Sequence, residues 1–102
     1  MKVLGEESWS WMLFDDDGGL VLSVVRGGAG VYDVTFQLSE AESGQIPAKG
    51  FEVAAALAGA VRVGVENYLP RHLAEFERRA DVAAATTMWR SASHSRPAGI
   101  LV

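Results

Sequence analysis

The sequence contains no cysteine. That excludes disulfides, thiolate metal sites and a cysteine nucleophile, and it suits a cytosolic home. Lysine is nearly absent too: Lys2 and Lys49 stand alone, and arginine supplies the rest of the positive charge. No run approaches the roughly 20 apolar residues that span a bilayer. Glu6 and Glu7 interrupt the N-terminus before a signal-peptide core can form. The chain is therefore expected to be soluble, cytoplasmic and free of any membrane association. With only His72 and His94, no histidine pair falls at metal-ligand spacing.

What is present suits one folded domain. The 102 residues are 49% apolar, enough for a single core. The net charge of −4 is unevenly spread. Residues 1–70 hold Lys2, Arg26, Lys49 and Arg62 against ten acids; residues 71–102 hold five arginines against Glu75, Glu77 and Asp81. An acidic front repels a phosphate backbone, so nucleic acid is not an expected partner. It would steer a basic protein toward itself.

The front half reads as strands. Ser8 to Phe14 alternates, with Trp9, Trp11 and Leu13 on one face and Ser10, Met12 and Phe14 on the other. Asp15-Asp16-Asp17-Gly18-Gly19 reads as a tight turn. Leu20 to Arg26 is apolar on both faces, as a central strand is. After the turn Gly27-Gly28-Ala29-Gly30, Val31 to Leu38 alternates. Tyr32, Val34, Phe36 and Leu38 are expected inward; Asp33, Thr35 and Gln37 are expected in solvent. Val3-Leu4 either extends the first strand or makes a separate short edge.

The back half reads as helices. Ser39-Glu40-Ala41-Glu42 reads as the capped first turn of a short helix, with Ser39 or Glu40 at its start, and Gly44 and Pro47 end it quickly. Phe51, Ala54, Ala55, Ala58, Val61, Val65 and Tyr68 recur at helical spacing. A second long helix is expected from Pro70 to Thr86 or beyond, with Leu69, Leu73, Phe76, Ala80 and Ala83 as its apolar stripe. From Ser91 the composition turns linker-like. Residues 1–90 are thus expected to form the domain and 91–102 a flexible arm, whose Ile100-Leu101-Val102 could pair with a sheet edge. The fold class is α+β: a three- or four-stranded antiparallel β-meander packed on two C-terminal helices, both on one face of the sheet.

No motif carries chemistry. A calcium loop starting at Asp15 would need an acid at its twelfth position, where Arg26 stands. The Gly27–Gly30 turn joins strand to strand, so no helix N-terminus follows to hold a pyrophosphate. No serine sits in a nucleophile elbow. The chain is read as non-enzymatic, with no cofactor and no metal. The informative residues are Trp9 and Trp11. They are core if they share the face of Tyr32, Val34 and Phe36, and an exposed aromatic patch for a partner if they do not. Trp89 poses the same question.

The stretch Leu22-Ser23-Val24-Val25-Arg26-Gly27-Gly28-Ala29-Gly30-Val31-Tyr32-Asp33-Val34-Thr35-Phe36-Gln37-Leu38 resembles a segment of small uncharacterised bacterial proteins of about this length. The resemblance covers residues 9–73 and implies no agreed activity. In size, charge and architecture the chain is also similar to immunity proteins of bacterial toxin systems, which act by binding a toxin. The likeness carries over no binding residue; the acidic front, the candidate exposed aromatics and the lack of a catalytic constellation make a non-catalytic module of immunity or regulatory type the leading expectation. It would occlude a basic protein partner through Trp9, Trp11, Asp15, Asp16 and Asp17, with Glu6 and Glu7 nearby. A homodimer built through the aromatic face or the C-terminal triplet is the second class, and a small-ligand carrier the third.

Overall fold

The structure, a computed structural model, describes residues 1–7, 10–25 and 34–95. Four strands form one antiparallel meander in the order β1 (Lys2–Glu7), β2 (Trp11–Asp16), β3 (Gly19–Val24) and β4 (Val34–Gln37). The expected meander is therefore present, and Val3-Leu4 belongs to a separate edge strand. Trp9, Arg26, the Gly27–Gly30 turn, Tyr32, Asp33 and the Ile100–Val102 triplet lie outside the described residues.

The β2–β3 turn is tighter than the acidic cluster suggested. Asp16 pairs with Gly19, leaving a two-residue loop. Asp17 has φ 54° and Gly18 φ 89°. Those are the left-handed values of a type I′ turn, whose twist matches that of the flanking strands. The Asp15 carboxylate fastens it by accepting from the Gly18 amide at 3.1 Å.

Four helices follow: α1 (Glu40–Gly44), α2 (Ile46–Lys49), α3 (Glu52–Val63) and α4 (Ala80–Ser95). Of the two starts the sequence offered, Ser39 and Glu40, Ser39 is the cap of α1. Its hydroxyl accepts from the Glu42 amide, and the Glu42 carboxylate accepts from the Ser39 amide. Helix α3 buries Val53, Ala54, Ala58 and Val61, while Ala55, assigned to its stripe, faces solvent.

The expected second long helix from Pro70 is not formed. Three short 3-10 helices, Val65–Asn67, Leu69–Arg71 and Phe76–Arg78, precede α4. The physical reason lies at His72, which is extended (ψ 130°). Here the chain closes the open edge of β4: His72 bridges Phe36, and the Leu73 amide donates to the Thr35 carbonyl at 2.7 Å. The Thr35 amide in turn donates to His72 Nδ1 at 3.0 Å. A continuous helix would leave those edge groups unpaired, and buried backbone groups demand partners. Arg79 is extended as well (ψ 135°), so α4 starts only at Ala80. Ala80 and Ala83, expected in a buried stripe, are consequently exposed. At its other end α4 runs to Ser95, past the change in composition at Ser91.

The disposition of the helices is the main departure from expectation. Trp11, Leu13, Leu22, Val24, Val34, Phe36 and Leu38 pack with Ala54, Ala58 and Val61 of α3. The alternate residues Met12, Phe14 and Val21, joined by Val3, pack with Phe76 and with Val82, Ala85 and Trp89 of α4. Alternate residues of a strand point to opposite faces. The sheet is therefore covered on both sides, α3 on one and α4 on the other, and the two helices do not share a face. Thr35, expected in solvent, is buried for this reason; its hydroxyl donates to Ser23 at 3.0 Å.

The second face makes a quantitative demand. The Phe76 ring meets the Phe14 ring edge-on at 5.0 Å between centroids. Phe76→Ala is expected to lower the unfolding free energy by about 3 kcal/mol in urea titrations. Were this face a solvated one, the same change would cost about 0.5 kcal/mol or less.

Candidate functional site

The residues singled out from the sequence are dispersed by the fold. Trp11 starts β2 on the α3 face, only 5% exposed, and its ring lies 5.9 Å from that of Phe51. It is core rather than a docking patch. Its indole Nε1 is buried with no hydrogen-bond partner among the described residues, a cost of roughly 1–3 kcal/mol that the packing of the ring must offset. Trp9 is not among the described residues. Trp89 is half-buried in the opposite core and donates from Nε1 to Glu6 at 2.8 Å. Arg90 also reaches Glu6, at 3.7 Å.

The three aspartates have separate tasks. Asp15 fastens the turn. Asp16 forms a two-pronged pair with Arg79, at 2.9 and 3.0 Å, and Arg79 also binds Asp81 at 2.6 Å. The bonds from Arg79 hold the Asp16 and Asp81 carboxyls below their ordinary 3.8 and raise the pKa of Arg79 itself. This cluster ties the β2–β3 hairpin to the start of α4. Asp17 alone remains exposed at the turn. The contiguous acids are thus mostly consumed by the fold, which sequence spacing could not show because Asp16 and Arg79 are 63 residues apart.

A second arginine gathers the other layer. Arg71 grips the Glu42 carboxylate with both terminal nitrogens, at 2.8 and 3.3 Å, and donates to the Gln37 carbonyl at 2.8 Å. Its guanidinium lies 4.7 Å from the centroid of Phe36 and 5.7 Å from that of Tyr68. The Arg71 bonds, helped by the Ser39 amide, hold the Glu42 carboxyl below its ordinary 4.5. On α3, Arg62 donates from Nη2 to the Ser10 carbonyl and hydroxyl, both at 2.9 Å, and from Nε to the Val25 carbonyl at 3.3 Å. Arg62, Arg71 and Arg79 are thus internal ties of the molecule, whereas Arg78 stays in solvent and reaches only its neighbour Glu75.

This spending of arginine leaves a recognisable surface. Among the described residues, Glu7, Asp17, Glu40, Glu52 and Glu66 are exposed acids without a salt-bridge partner. Glu40, Glu52 and Glu66 belong to α1, α3 and the turn after α3, on the α3 side of the sheet. The same layer exposes large apolar side chains: Val63 is 91% exposed, Phe51 47% and Leu69 46%. Sequence reading missed this patch. Val63 sits off the buried stripe of its helix, which was the available signal, and Leu69 had been placed in a helix that does not form. The α4 side differs: there Glu6, Asp16, Glu75 and Asp81 are all matched to arginines.

Among the described residues no group of three or more His, Asp or Glu side chains is arranged to hold a metal ion. No helix there is long and apolar enough to cross a membrane. His72, with Nδ1 accepting from Thr35, acts as an edge fastener.

The Glu42–Arg71 pair sets a pH dependence. A carboxylate held below its ordinary value contributes stability above that value, and the contribution is lost as pH falls through the folded one. At pH 7 the pair is expected to be worth about 1 kcal/mol after screening at the surface. Glu42→Gln should therefore lower stability at pH 7, with the gap to the parent chain closing below about pH 4 in denaturant titrations across pH.

No protein-family model, curated protein or solved structure matches this chain.

Proposed function

We propose that the chain is a non-catalytic protein-binding module of immunity or regulatory type that occludes a basic protein partner. The observation supporting this reading is the α3-side layer, which exposes Val63 and Leu69 and also carries the unpaired acids Glu52 and Glu66. Exposed apolar side chains in a layer that also carries unpaired acids suit a protein-docking surface. The mechanism is occlusion: the apolar residues bury against the partner, while the acids steer its basic face into register. The site thereby moves from the Trp9–Trp11 strand and the aspartate turn to the outer side of α3. Trp11 lies in the core and Asp16 is held by Arg79, which leaves Asp17 as the described candidate still exposed there.

The chemistry of such a surface favours protein over nucleic acid, since exposed glutamates repel phosphates. The test is capture of the partner by the full chain, followed by binding titrations across ionic strength. Affinity is expected to fall as salt rises, and Glu52→Lys with Glu66→Lys should weaken binding on the order of tenfold. Reversing Asp81 on the opposite side should leave it unchanged. Affinity that is indifferent both to salt and to the glutamate reversals would contradict the reading.

A further inference from the structure

The sheet has two edges, and the fold treats them differently. The β4 edge is closed by His72 and Leu73. No backbone hydrogen bond from the described residues reaches the outer edge of β1. An open edge presents free amides and carbonyls and is a template for another strand. We infer that β1 pairs antiparallel with β1 of a second copy of this chain, joining two four-stranded sheets into one.

The sequence of β1 selects that occupant. It runs Lys2-Val3-Leu4-Gly5-Glu6-Glu7, with its cation at one end and its acids at the other. Antiparallel self-pairing about a two-fold axis sets opposite ends side by side, so Lys2 of each copy faces acid on the other. The register is fixed by the faces. Opposed residues in a pair must point to the same side of the sheet. In a regular strand Lys2 and Glu7, five apart, would point to opposite sides. Here a bulge shifts the register between Val3 and Gly5, so that Lys2 pairs with Asp15 and Glu7 with Trp11, both on the α3 face. Val3 and Glu6 pair with Phe14 and Met12, both on the α4 face.

One symmetric register therefore satisfies every position: Lys2 against Glu7 of the second copy, Val3 against Glu6, and Leu4 against Gly5. It keeps the two α3 layers on one side of the joined sheet and the two α4 layers on the other. Lys2 and Glu7 are exposed and make no salt bridge among the described residues, so both are free for that contact. Glu6 is already occupied by Trp89 and Arg90. One flank of the edge supplies apolar area. Phe51, half-exposed, lies over Gly5, whose missing Cβ would sit 2.9 Å from the ring.

Sedimentation equilibrium of the full chain, from about 1 to 200 µM at low salt, tests this. Dimer is the expected species at the upper end. Lys2→Glu is expected to weaken the dimer at least tenfold, since it places like charges opposite each other twice. Lys2→Glu combined with Glu7→Lys should restore it, because the exchanged charges are again self-complementary. Circular dichroism controls for folding of each variant. A chain that stays monomeric throughout overturns the inference, whether β1 is free or covered by another segment of the same chain. A dimer indifferent to Lys2→Glu, or one that the double exchange fails to restore, overturns it too. Neither result bears on the acidic α3 surface, because Glu52 and Glu66 take no part in the pairing.

Discussion

β2 and β3 are apolar on both faces, and a sheet of that kind leaves one face in water unless helices cover it from both sides. Leu13, Leu22 and Val24 turn one way, while Met12, Phe14 and Val21 turn the other. Burying one set alone would leave a contiguous apolar surface exposed, which monomeric proteins rarely tolerate. Much else in the structure answers to this constraint. The chain crosses from the α3 side to the α4 side through residues 64–79, in a path of short turns rather than a helix. On the way it passes the edge of β4 and closes it.

Arginine makes that crossing precise in position. Arg71 holds the start of the crossing by binding the cap of α1, the end of β4 and two aromatic rings. Arg79 holds its end by binding the β2–β3 hairpin and the first turn of α4. Its planar fork can satisfy two acceptors at once, which a lysine ammonium does with less directional control. A chain with two lysines and seven arginines is consistent with such use. The functional consequence is a division of the surface. Among the described residues, Glu6, Asp16, Glu75 and Asp81 on the α4 side are matched to arginines, while on the α3 side several acids stay free in a layer that exposes apolar residues.

Local chemistry made part of this legible in the sequence. Asp17-Gly18 announced the hairpin because few residues accept two left-handed positions in succession. Ser39 and Glu42 announced the start of α1 because capping is a short-range bond. The alternation of Val34, Phe36 and Leu38 marked a buried face correctly. What stayed hidden was long-range. The apolar Met12 and Phe14 were visible on the second face of β2, but nothing adjacent said which element would cover them. Helix α4 is rich in Ala, Thr and Ser and carries a weak stripe, so its buried side did not stand out. The helical pattern through Leu69, Leu73 and Phe76 was real as spacing, yet the edge of β4 outweighed it. The candidate site suffered most. Aspartates adjacent in sequence looked like a surface until Arg79 claimed one of them, and the α3 patch emerged only once the fold showed which side of the helix was outward.

The central claim is that α3 and α4 lie on opposite faces of the sheet, and proton–proton contacts measured by NMR test it most directly. The account predicts cross-peaks between the rings of Phe14 and Phe76, 5.0 Å apart, together with cross-peaks between Trp11 and Phe51, 5.9 Å apart. Contacts from Phe76 or Val82 to Leu13 or Leu22, with none to Phe14, would place α4 on the α3 face and contradict it.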